Sequence, residues 1–431
     1  MTARDIGAKS LGSRPNSDYA KRRNINRFRA ATVAIAMAST TLAGISVTAS
    51  ASADGHDSDH AFRQVNLVSD LSTLGPDVLV DPAVKNPWGI AMGPTTPLWV
   101  DNQFNPASNC GTPNCVPAAA DLLTKVTLYK GATNSHDPIQ KVGLEVTASS
   151  PFGIVFNPTS SFAVTQNGVT APARFLFNEV VPSAGAPMAE ITGWSNATSP
   201  PPTTTTTTNA TKVGAVQTGL ALVPGRTDKR GKSEKSGKNG PRLLAADGVN
   251  GVIDVYDANF NPVVMPGAFV DPNSASDGLA PYNVAYLKGR VYVTYATQGV
   301  AGGAVSVFTR EGRFIKRLVS GAPLNGPWGL TIAPKHWGHF GGALLVGNVD
   351  SGMINAFNPR TGHLLGTLSD AAGKPLVNPG LWGLAFGNGT IGTPQTLLFA
   401  AGIGEAAGGF GEHIYEHGLV GLIEQVDNDN D

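Results

Sequence analysis

Acidic and amide side chains recur after short apolar segments of this chain, and such side chains supply the oxygen ligands that Ca²⁺ prefers. They are Asp101, Asn102, Asn178, Glu179, Asp247, Asn348, Asp350 and Glu405. In a repeating fold they would ring one face, and we take Asp101, Asn102, Asp247, Asn348, Asp350 and Glu405 as candidate ligands of a weak Ca²⁺ site. The alternative is turn chemistry, since Asp and Asn bond to their own backbone in tight turns.

Aromatic side chains occupy the middle of a Pro-x-Gly phrase that returns along the chain. It first appears in Asn86-Pro87-Trp88-Gly89-Ile90-Ala91. The aromatic residues at x are Trp88, Phe152, Tyr282, Trp328 and Trp382, and a weaker copy has Thr218. As a collar around a channel mouth, these five rings would be ligand-binding residues that stack on a sugar ring or an apolar ligand. The alternative is that they wedge between sheets as core, where aromatic rings contribute large burial energies.

Six copies of this phrase set the fold class. Their Gly (or Asn) positions are 64, 66, 64, 46 and 54 residues apart, and each copy is followed by further short apolar runs. Four short strands per unit are typical of a propeller blade, and blades must stack to bury both faces of their sheets. We therefore predict an all-β, six-bladed β-propeller, closed by pairing of the N- and C-terminal strands near residues 62–68 and 419–426. The alternative is a β-sandwich.

Motifs for known catalytic chemistry are weak. His413-Ile414-Tyr415-Glu416-His417 matches the H-x-x-E-H zinc-peptidase motif, but that motif needs a helix and Gly411 and Gly418 flank it here. The chain contains neither a Gly-x-Ser-x-Gly elbow nor a phosphate-binding glycine loop. We therefore assign no catalytic residue and leave any cofactor unknown.

The N-terminus indicates export. Basic residues at 21–29 precede an Ala-rich apolar run from Ala30 to Val47, and Ala51-Ser52-Ala53 supplies the small residues of a cleavage site. We predict a signal peptide at 1–53, with Sec and twin-arginine routes left open, and a secreted or periplasmic protein with no transmembrane segment in the mature chain. Residues 1–53 hold eight of the 31 Lys and Arg and two of the 31 Asp and Glu, so the remainder has a net charge of −6. An acidic mature chain argues against nucleic-acid binding.

The remaining features are a pair of cysteines, the segments that flank the propeller and two insertions within it. Cys110 and Cys115 flank Gly-Thr-Pro-Asn, and in an oxidising compartment we expect a disulfide between them. We predict a linker at 54–61, a propeller at 62–426 and an acidic tail at 427–431. Insertions at 195–212, which is Thr-rich, and 226–242, which holds seven basic and two acidic residues, are expected to be solvated loops. A polyanion-binding patch is the alternative for the second.

These phrases resemble the NHL-type propeller repeat. More closely, the chain resembles an uncharacterised family of exported bacterial propellers, the PEP-CTERM-associated hypothetical proteins. The resemblance is carried by Val65-Asn66-Leu67-Val68-Ser69-Asp70, Asn86 to Ala91, Trp99-Val100-Asp101-Asn102, Gly326-Pro327-Trp328-Gly329-Leu330 and Glu416 to Gly421. This resemblance implies a propeller fold and export, but it does not indicate any particular activity. Calcium-dependent propeller lactonases are also similar in their Pro-x-Gly organisation, but they place Asn or Asp at x, where this chain has aromatic residues.

Taken together, the sequence favours a noncatalytic, monomeric module that binds an unknown small molecule, glycan or protein partner. Two alternatives stay open: a metal-assisted hydrolase or lyase acting on a small extracellular substrate, and a structural envelope component.

Overall fold

Six β-sheets arranged in a ring make up the computed structural model. The described residues are 61–103, 123–134, 137–183, 186–201, 204–227, 234–235, 237–297, 300–404 and 416–426. Cys110, Cys115, Glu405 and His413 lie outside them, as do the signal peptide and the acidic tail. The disulfide therefore stays a prediction.

The described residues form 27 strands. The first ten are β1 (Phe62–Ser69), β2 (Leu79–Val80), β3 (Pro87–Ala91), β4 (Leu98–Asn102), β5 (Leu123–Lys130), β6 (Gln140–Lys141), β7 (Val146–Ser149), β8 (Pro151–Phe156), β9 (Ala163–Gln166) and β10 (Val169–Pro172). The next ten are β11 (Phe175–Ser183), β12 (Ala186–Trp194), β13 (Thr207–Val213), β14 (Gln217–Val223), β15 (Arg242–Asp247), β16 (Val252–Tyr256), β17 (Ala280–Leu287), β18 (Arg290–Thr297), β19 (Val300–Thr309) and β20 (Phe314–Ser320). The last seven are β21 (Pro327–Ile332), β22 (Leu344–Asn348), β23 (Ile354–Phe357), β24 (Leu364–Thr367), β25 (Leu381–Phe386), β26 (Leu397–Ile403) and β27 (His417–Gln425). Single turns of 3₁₀-helix cover Ser72–Leu74, Gly237–Asn239 and Gly338–Phe340.

Each blade is a sheet that runs outward from the axis and is antiparallel except for the short strand β2 of the sixth blade, which pairs with β1 in parallel. The first five blades are β3-β4-β5 with β6 and β7 both on β5, β8-β11-β12-β13, β14-β15-β16, β17-β18-β19-β20 and β21-β22-β23-β24. The innermost strands β3, β8, β14, β17, β21 and β25 each lie against the innermost strands of both neighbouring blades. The hairpin β9-β10 is an addition to the second blade. This arrangement confirms the six-bladed propeller and rules out the sandwich.

The sixth blade closes the ring with both ends of the chain. Its order is β25-β26-β27-β1, with the short β2 outside β1. Strand β1 pairs with β27 in antiparallel register from Phe62 opposite Gln425 to Ser69 opposite Leu419. The closure predicted from the two terminal segments is therefore confirmed.

Apolar side chains fill the spaces between blades. Because successive side chains of a strand point to opposite faces, each sheet buries residues on both sides. In the described residues, each pair of neighbouring blades encloses one cluster of buried apolar residues. Between the first two blades, for example, Trp99 stacks on Phe175 with ring centroids 4.0 Å apart. Each such side chain contributes roughly 1.5–3 kcal/mol of burial free energy, which holds the blades together.

One expectation about the loops was wrong. The Thr-rich segment within 195–212 was expected to be a solvated loop, but Thr207–Val213 forms β13, the outer strand of the second blade. Thr is β-branched and fits a half-exposed edge strand well. The composition that suggested a solvated segment is therefore equally compatible with an outer strand.

Candidate functional site

Each innermost strand starts with a copy of the phrase, with Gln217 and Leu381 in place of Pro in the third and sixth copies, and neighbouring blades approach closely there. A Cβ atom on Gly329 would lie 2.5 Å from the carbonyl oxygen of Trp382, and one on Gly383 would lie 2.6 Å from that of Trp88. Only glycine tolerates such an approach of another backbone. In the fourth blade Asn283 replaces the glycine, and its Nδ2 donates to the carbonyl oxygen of Trp328 at 2.8 Å.

The five aromatic residues at x meet at the propeller axis, and we call them the aromatic plug (Trp88, Phe152, Tyr282, Trp328 and Trp382). Trp88 stacks on Trp382 with ring centroids 3.5 Å apart, and Phe152 meets the edge of Trp88 at 4.6 Å. Tyr282 and Trp328 approach Trp382 at 6.1 and 5.9 Å. Four of the rings are at most 5% exposed, and Tyr282 is half-buried. The rings therefore pack against one another across the axis.

Two indole nitrogens fix the orientation of the plug. Trp328 Nε1 donates to the carbonyl oxygen of Thr218 at 3.1 Å, and Trp382 Nε1 donates to Asn86 Oδ1 at 3.1 Å. Thr218 occupies the sixth x position, and its hydroxyl donates to the carbonyl oxygen of Tyr282 at 2.7 Å. The weak sixth copy of the phrase thus supports the plug without adding a ring.

A cavity of about 420 Å³ lies along the axis behind the plug. All six innermost strands line it, and Trp328 belongs to its wall. The aliphatic residues that follow the glycine (or Asn) positions form an apolar, buried ring of its wall: Ile90, Ile154, Leu220, Val284, Leu330 and Leu384. Further from the plug, Met92, Phe156, Leu222 and Tyr286 are half-exposed, so we take this end as the mouth of the cavity.

The wall of the cavity combines apolar side chains with backbone groups. Each innermost strand pairs on one edge only, so its other edge presents backbone N–H and C=O groups toward the axis. Among the described residues that line the cavity there is no Asp, Glu, His, Lys or Arg. Such a wall suits an uncharged organic group that has both apolar surface and hydrogen-bonding atoms.

The described acidic and amide candidates lie at the same end of the propeller as the plug. They stand at or just after the end of the second strand of a blade, which pairs antiparallel with the innermost strand and therefore ends beside its start. Asp101 is fully buried, and neither carboxylate oxygen has a hydrogen-bond partner within the described part of the chain. Burial raises the pKa of Asp101 well above its usual value, and the nearby charge of Glu179 adds to the effect. Burial therefore favours the protonated form of Asp101. The neighbouring Asn102 donates to the carbonyl oxygen of Lys125 at 2.6 Å.

Glu179 is the second buried carboxyl group of this region. Burial raises its pKa to about 7, against the opposing effect of its hydrogen bonds. It accepts a hydrogen bond from the Thr192 hydroxyl at 2.5 Å and from the backbone N–H of Ser149 at 2.7 Å. Glu179 does not line the axial cavity. Its raised pKa therefore makes the stability of the fold depend on pH near neutrality.

The other described candidates have separate partners, and Lys212, which pairs with Asp247 of the third blade, belongs to strand β13 of the second blade. Asp247 pairs with Lys212 at 2.8 Å and accepts a hydrogen bond from Asn250 in the turn that follows it. Asn348 accepts from the backbone N–H of Asn325 at 2.9 Å, and burial raises the pKa of Asp350.

The structure therefore brings the aromatic candidates together and leaves the oxygen candidates apart. In the described ranges, no group of three or more His, Cys, Asp or Glu could hold a metal ion. Of the zinc-peptidase motif, the structure describes Glu416 and His417, and His417 begins strand β27 and bonds to Asp70 Oδ2 at 2.6 Å.

Sequence reasoning missed the cavity wall. Its signal was present in the aliphatic residue that follows the glycine in nearly every copy of the phrase. That residue was used only to recognise the repeat.

Comparison with known proteins gives no activity for this chain. No family model matches the chain. It is 27% identical over 321 residues to the uncharacterized protein R648 of Acanthamoeba polyphaga mimivirus, covering 71% of this chain and 69% of that protein. Uncharacterized protein R640 of the same virus is 34% identical over 159 residues, which are 34% of this chain and 29% of that protein. These relatives are viral, so the resemblance to an exported bacterial family stays a prediction.

Two solved structures of sugar-oxidising enzymes are also similar. A putative glucose dehydrogenase of Thermus thermophilus is 10% identical with a TM-score of 0.45, covering 84% of this chain and 99% of that one. The PQQ-bound aldose sugar dehydrogenase of Streptomyces coelicolor is 12% identical with a TM-score of 0.43, covering 85% and 99%.

The protein is thus a six-bladed β-propeller with an axial cavity closed at one end by aromatic rings. Within the residues described, none of the helices has the length and apolar character needed to cross a membrane.

Proposed function

We propose that this chain is an exported, noncatalytic binding module whose ligand occupies the axial cavity. The observation that carries the proposal is the cavity itself: about 420 Å³, reached from one end, closed by the aromatic plug and lined by all six blades. Pockets for small organic ligands have volumes of roughly 300–1,000 Å³ and predominantly apolar walls with a few polar groups. Export, to the periplasm or the exterior, rests on the leader at residues 1–53.

The wall favours binding over catalysis. General acid–base chemistry needs an ionisable side chain within hydrogen-bond reach of the substrate. In the described part of the chain, the two buried carboxyl groups with raised pKa, Asp101 and Glu179, do not line the cavity. The ligand we propose is therefore an uncharged organic group held by shape, by the Trp328 ring and by backbone hydrogen bonds.

A fluorescent ligand tests the proposal. N-phenylnaphthylamine is uncharged, carries one N–H group and fluoresces strongly when removed from water. We expect saturable binding of one molecule per full-length chain. Ala285 lines the cavity, so Ala285→Phe should fill part of it and weaken binding about tenfold or more.

Ala385→Phe provides the matched control. Ala385 occupies the same repeat position in the sixth blade and is not among the residues that line the cavity. This variant should bind N-phenylnaphthylamine as the wild type does, with both melting temperatures recorded. Equal binding by the folded Ala285→Phe variant, or no saturable binding by the wild type, would contradict the proposal.

A further inference from the structure

A cluster of arginine residues lies beside the mouth of the axial cavity. Arg226, Arg290 and Arg310 line a cleft between the third and fourth blades, together with Glu311. Arg226 follows β14, Arg290 begins β18, and Arg310 lies in the β19–β20 turn. Three guanidinium groups and one carboxylate give this arginine cleft a net charge of +2.

The arginine cleft is connected to the cavity by direct contact. Arg310 Nη2 donates to the carbonyl oxygen of Pro224, and Pro224 lines the cavity. Strand β17 contributes Asn283 to Tyr286 to the cavity wall and then turns at Lys288 and Gly289 into Arg290. Both turn residues have positive φ, 47° and 81°, as a tight two-residue hairpin requires. This turn holds Arg290 next to the mouth.

Among the described residues, one of the three guanidinium groups has no ion-pair partner. Glu311 pairs with Arg226, and its Oε1 lies 3.7 Å from Arg310 Nε. Arg290 is exposed, and it makes no ion pair with any residue that the structure describes. A guanidinium presents a rigid set of N–H donors that matches the oxygens of a carboxylate, sulfonate or phosphate. Arg290 is therefore the group most ready to receive an external anion.

We propose that the ligand is an amphipathic organic anion, with its uncharged part in the axial cavity and its oxyanion group on the arginine cleft. This inference rests on the proposed function, because it needs the cavity to accept the uncharged part. In such a complex the uncharged wall of the cavity would bind the apolar part of the ligand. The positively charged arginine cleft beside the mouth would bind its oxyanion group.

Two dyes with the same ring system test it on the full-length protein. Anilinonaphthalene sulfonate carries a sulfonate group, whereas N-phenylnaphthylamine lacks it. At low salt we expect each dye to displace the other and the sulfonate to bind about tenfold more tightly, as a charge-assisted hydrogen bond would give. Arg290→Gln should remove most of this preference and leave the affinity for N-phenylnaphthylamine unchanged.

Arg313→Gln is the matched control. Arg313 is exposed on the same β19–β20 turn, carries the same charge and does not line the arginine cleft. This variant should keep the full preference for the sulfonate. The inference is overturned if wild type shows no preference, if Arg290→Gln retains it, or if Arg313→Gln loses as much. Failure of N-phenylnaphthylamine itself to bind the wild type would instead overturn the proposed function, and this inference with it.

Discussion

Trp382 is the most deeply buried ring of the aromatic plug, with 1% of its surface exposed. It stacks on Trp88 and contacts the edges of Tyr282 and Trp328. Truncating a buried aromatic side chain removes both its transfer free energy and its packing, so Trp382→Ala should lower the free energy of unfolding by about 3–5 kcal/mol. Urea denaturation measures this difference.

Tyr282→Ala is the comparison within the same plug. Tyr282 is half-buried, and its ring centroid lies 6.1 Å from that of Trp382. Tyr282→Ala should therefore lower the free energy of unfolding clearly less than Trp382→Ala does. Equal losses for the two variants would show that the rings do not support one another as the structure describes.

Glu179 makes stability depend on pH near neutrality. Its pKa is about 7 in the folded protein and near its ordinary value of 4.5 in the unfolded chain. Between these values the folded state holds a proton that the unfolded state has released, so stability falls as pH rises from about 4.5 to about 7. The loss is at most roughly 3 kcal/mol, at about 1.4 kcal/mol for each unit of pKa shift.

Replacing Glu179 with glutamine removes the titrating group. Urea denaturation at pH 5 and pH 7.5 should therefore show a smaller decline for Glu179→Gln than for wild type. Glu424→Gln, at a partly exposed position, should keep the wild-type decline. An unchanged decline in Glu179→Gln would mean that this carboxyl group is ionised throughout the pH range.

At the level of the strands, neighbouring blades approach each other closely at the start of the innermost strands. A single added methyl group there should disturb the packing of two blades. Gly329→Ala places a Cβ atom 2.5 Å from the carbonyl oxygen of Trp382, and the sixth blade would have to move away. We expect a loss of more than about 2 kcal/mol in the free energy of unfolding. Gly143 has nothing within 4 Å of a built Cβ, so Gly143→Ala should change stability by less than about 0.5 kcal/mol. Similar losses in both variants would contradict the close approach.

The strands were predictable from the sequence to different degrees. Innermost strands were recognised because Pro, an aromatic residue and Gly recur together, each with its own physical role at the axis. The outer strand Thr207–Val213 was missed because none of its residues is fully buried, so its sequence carries no apolar pattern. Asp101 and Asn102 were read as one set with Asp247 and Asn348, but neither carboxylate oxygen of Asp101 has a hydrogen-bond partner among the described residues, and the other three bond to unrelated groups.

For the candidate site, the sequence predicted which aromatic residues belong to it, but it did not predict how they are arranged. The sequence identified the five rings of the plug, but their contact across the axis depends on the closed ring. The cavity is formed by the free edges of six strands, and the arginine cleft by residues from three separate turns. The cavity wall is marked in the chain only by one aliphatic residue in each copy of the phrase, and the arginine cleft leaves no local pattern.

At the scale of the whole molecule, the pairing of β1 with β27 closes the ring. A chain that begins at residue 71 would lack β1 and leave β27 with an unpaired edge, which promotes aggregation. We expect this shortened chain to melt at a markedly lower temperature and to aggregate, whereas a chain beginning at residue 61 should melt like the full-length protein. Differential scanning calorimetry and light scattering provide the comparison. Equal melting of the two chains would show that closure does not depend on β1.

If the axial cavity is a ligand site reached from the face opposite the plug, a bound ligand must be visible inside it. A crystal structure of the full-length protein with bound N-phenylnaphthylamine would show where the dye lies. We expect density for the dye between Trp328 and the half-exposed ring of Tyr286, in contact with Leu330 and with free backbone groups of the innermost strands. Density only on the outer surface of the blades, with the axial cavity empty at saturating dye, would contradict the claim.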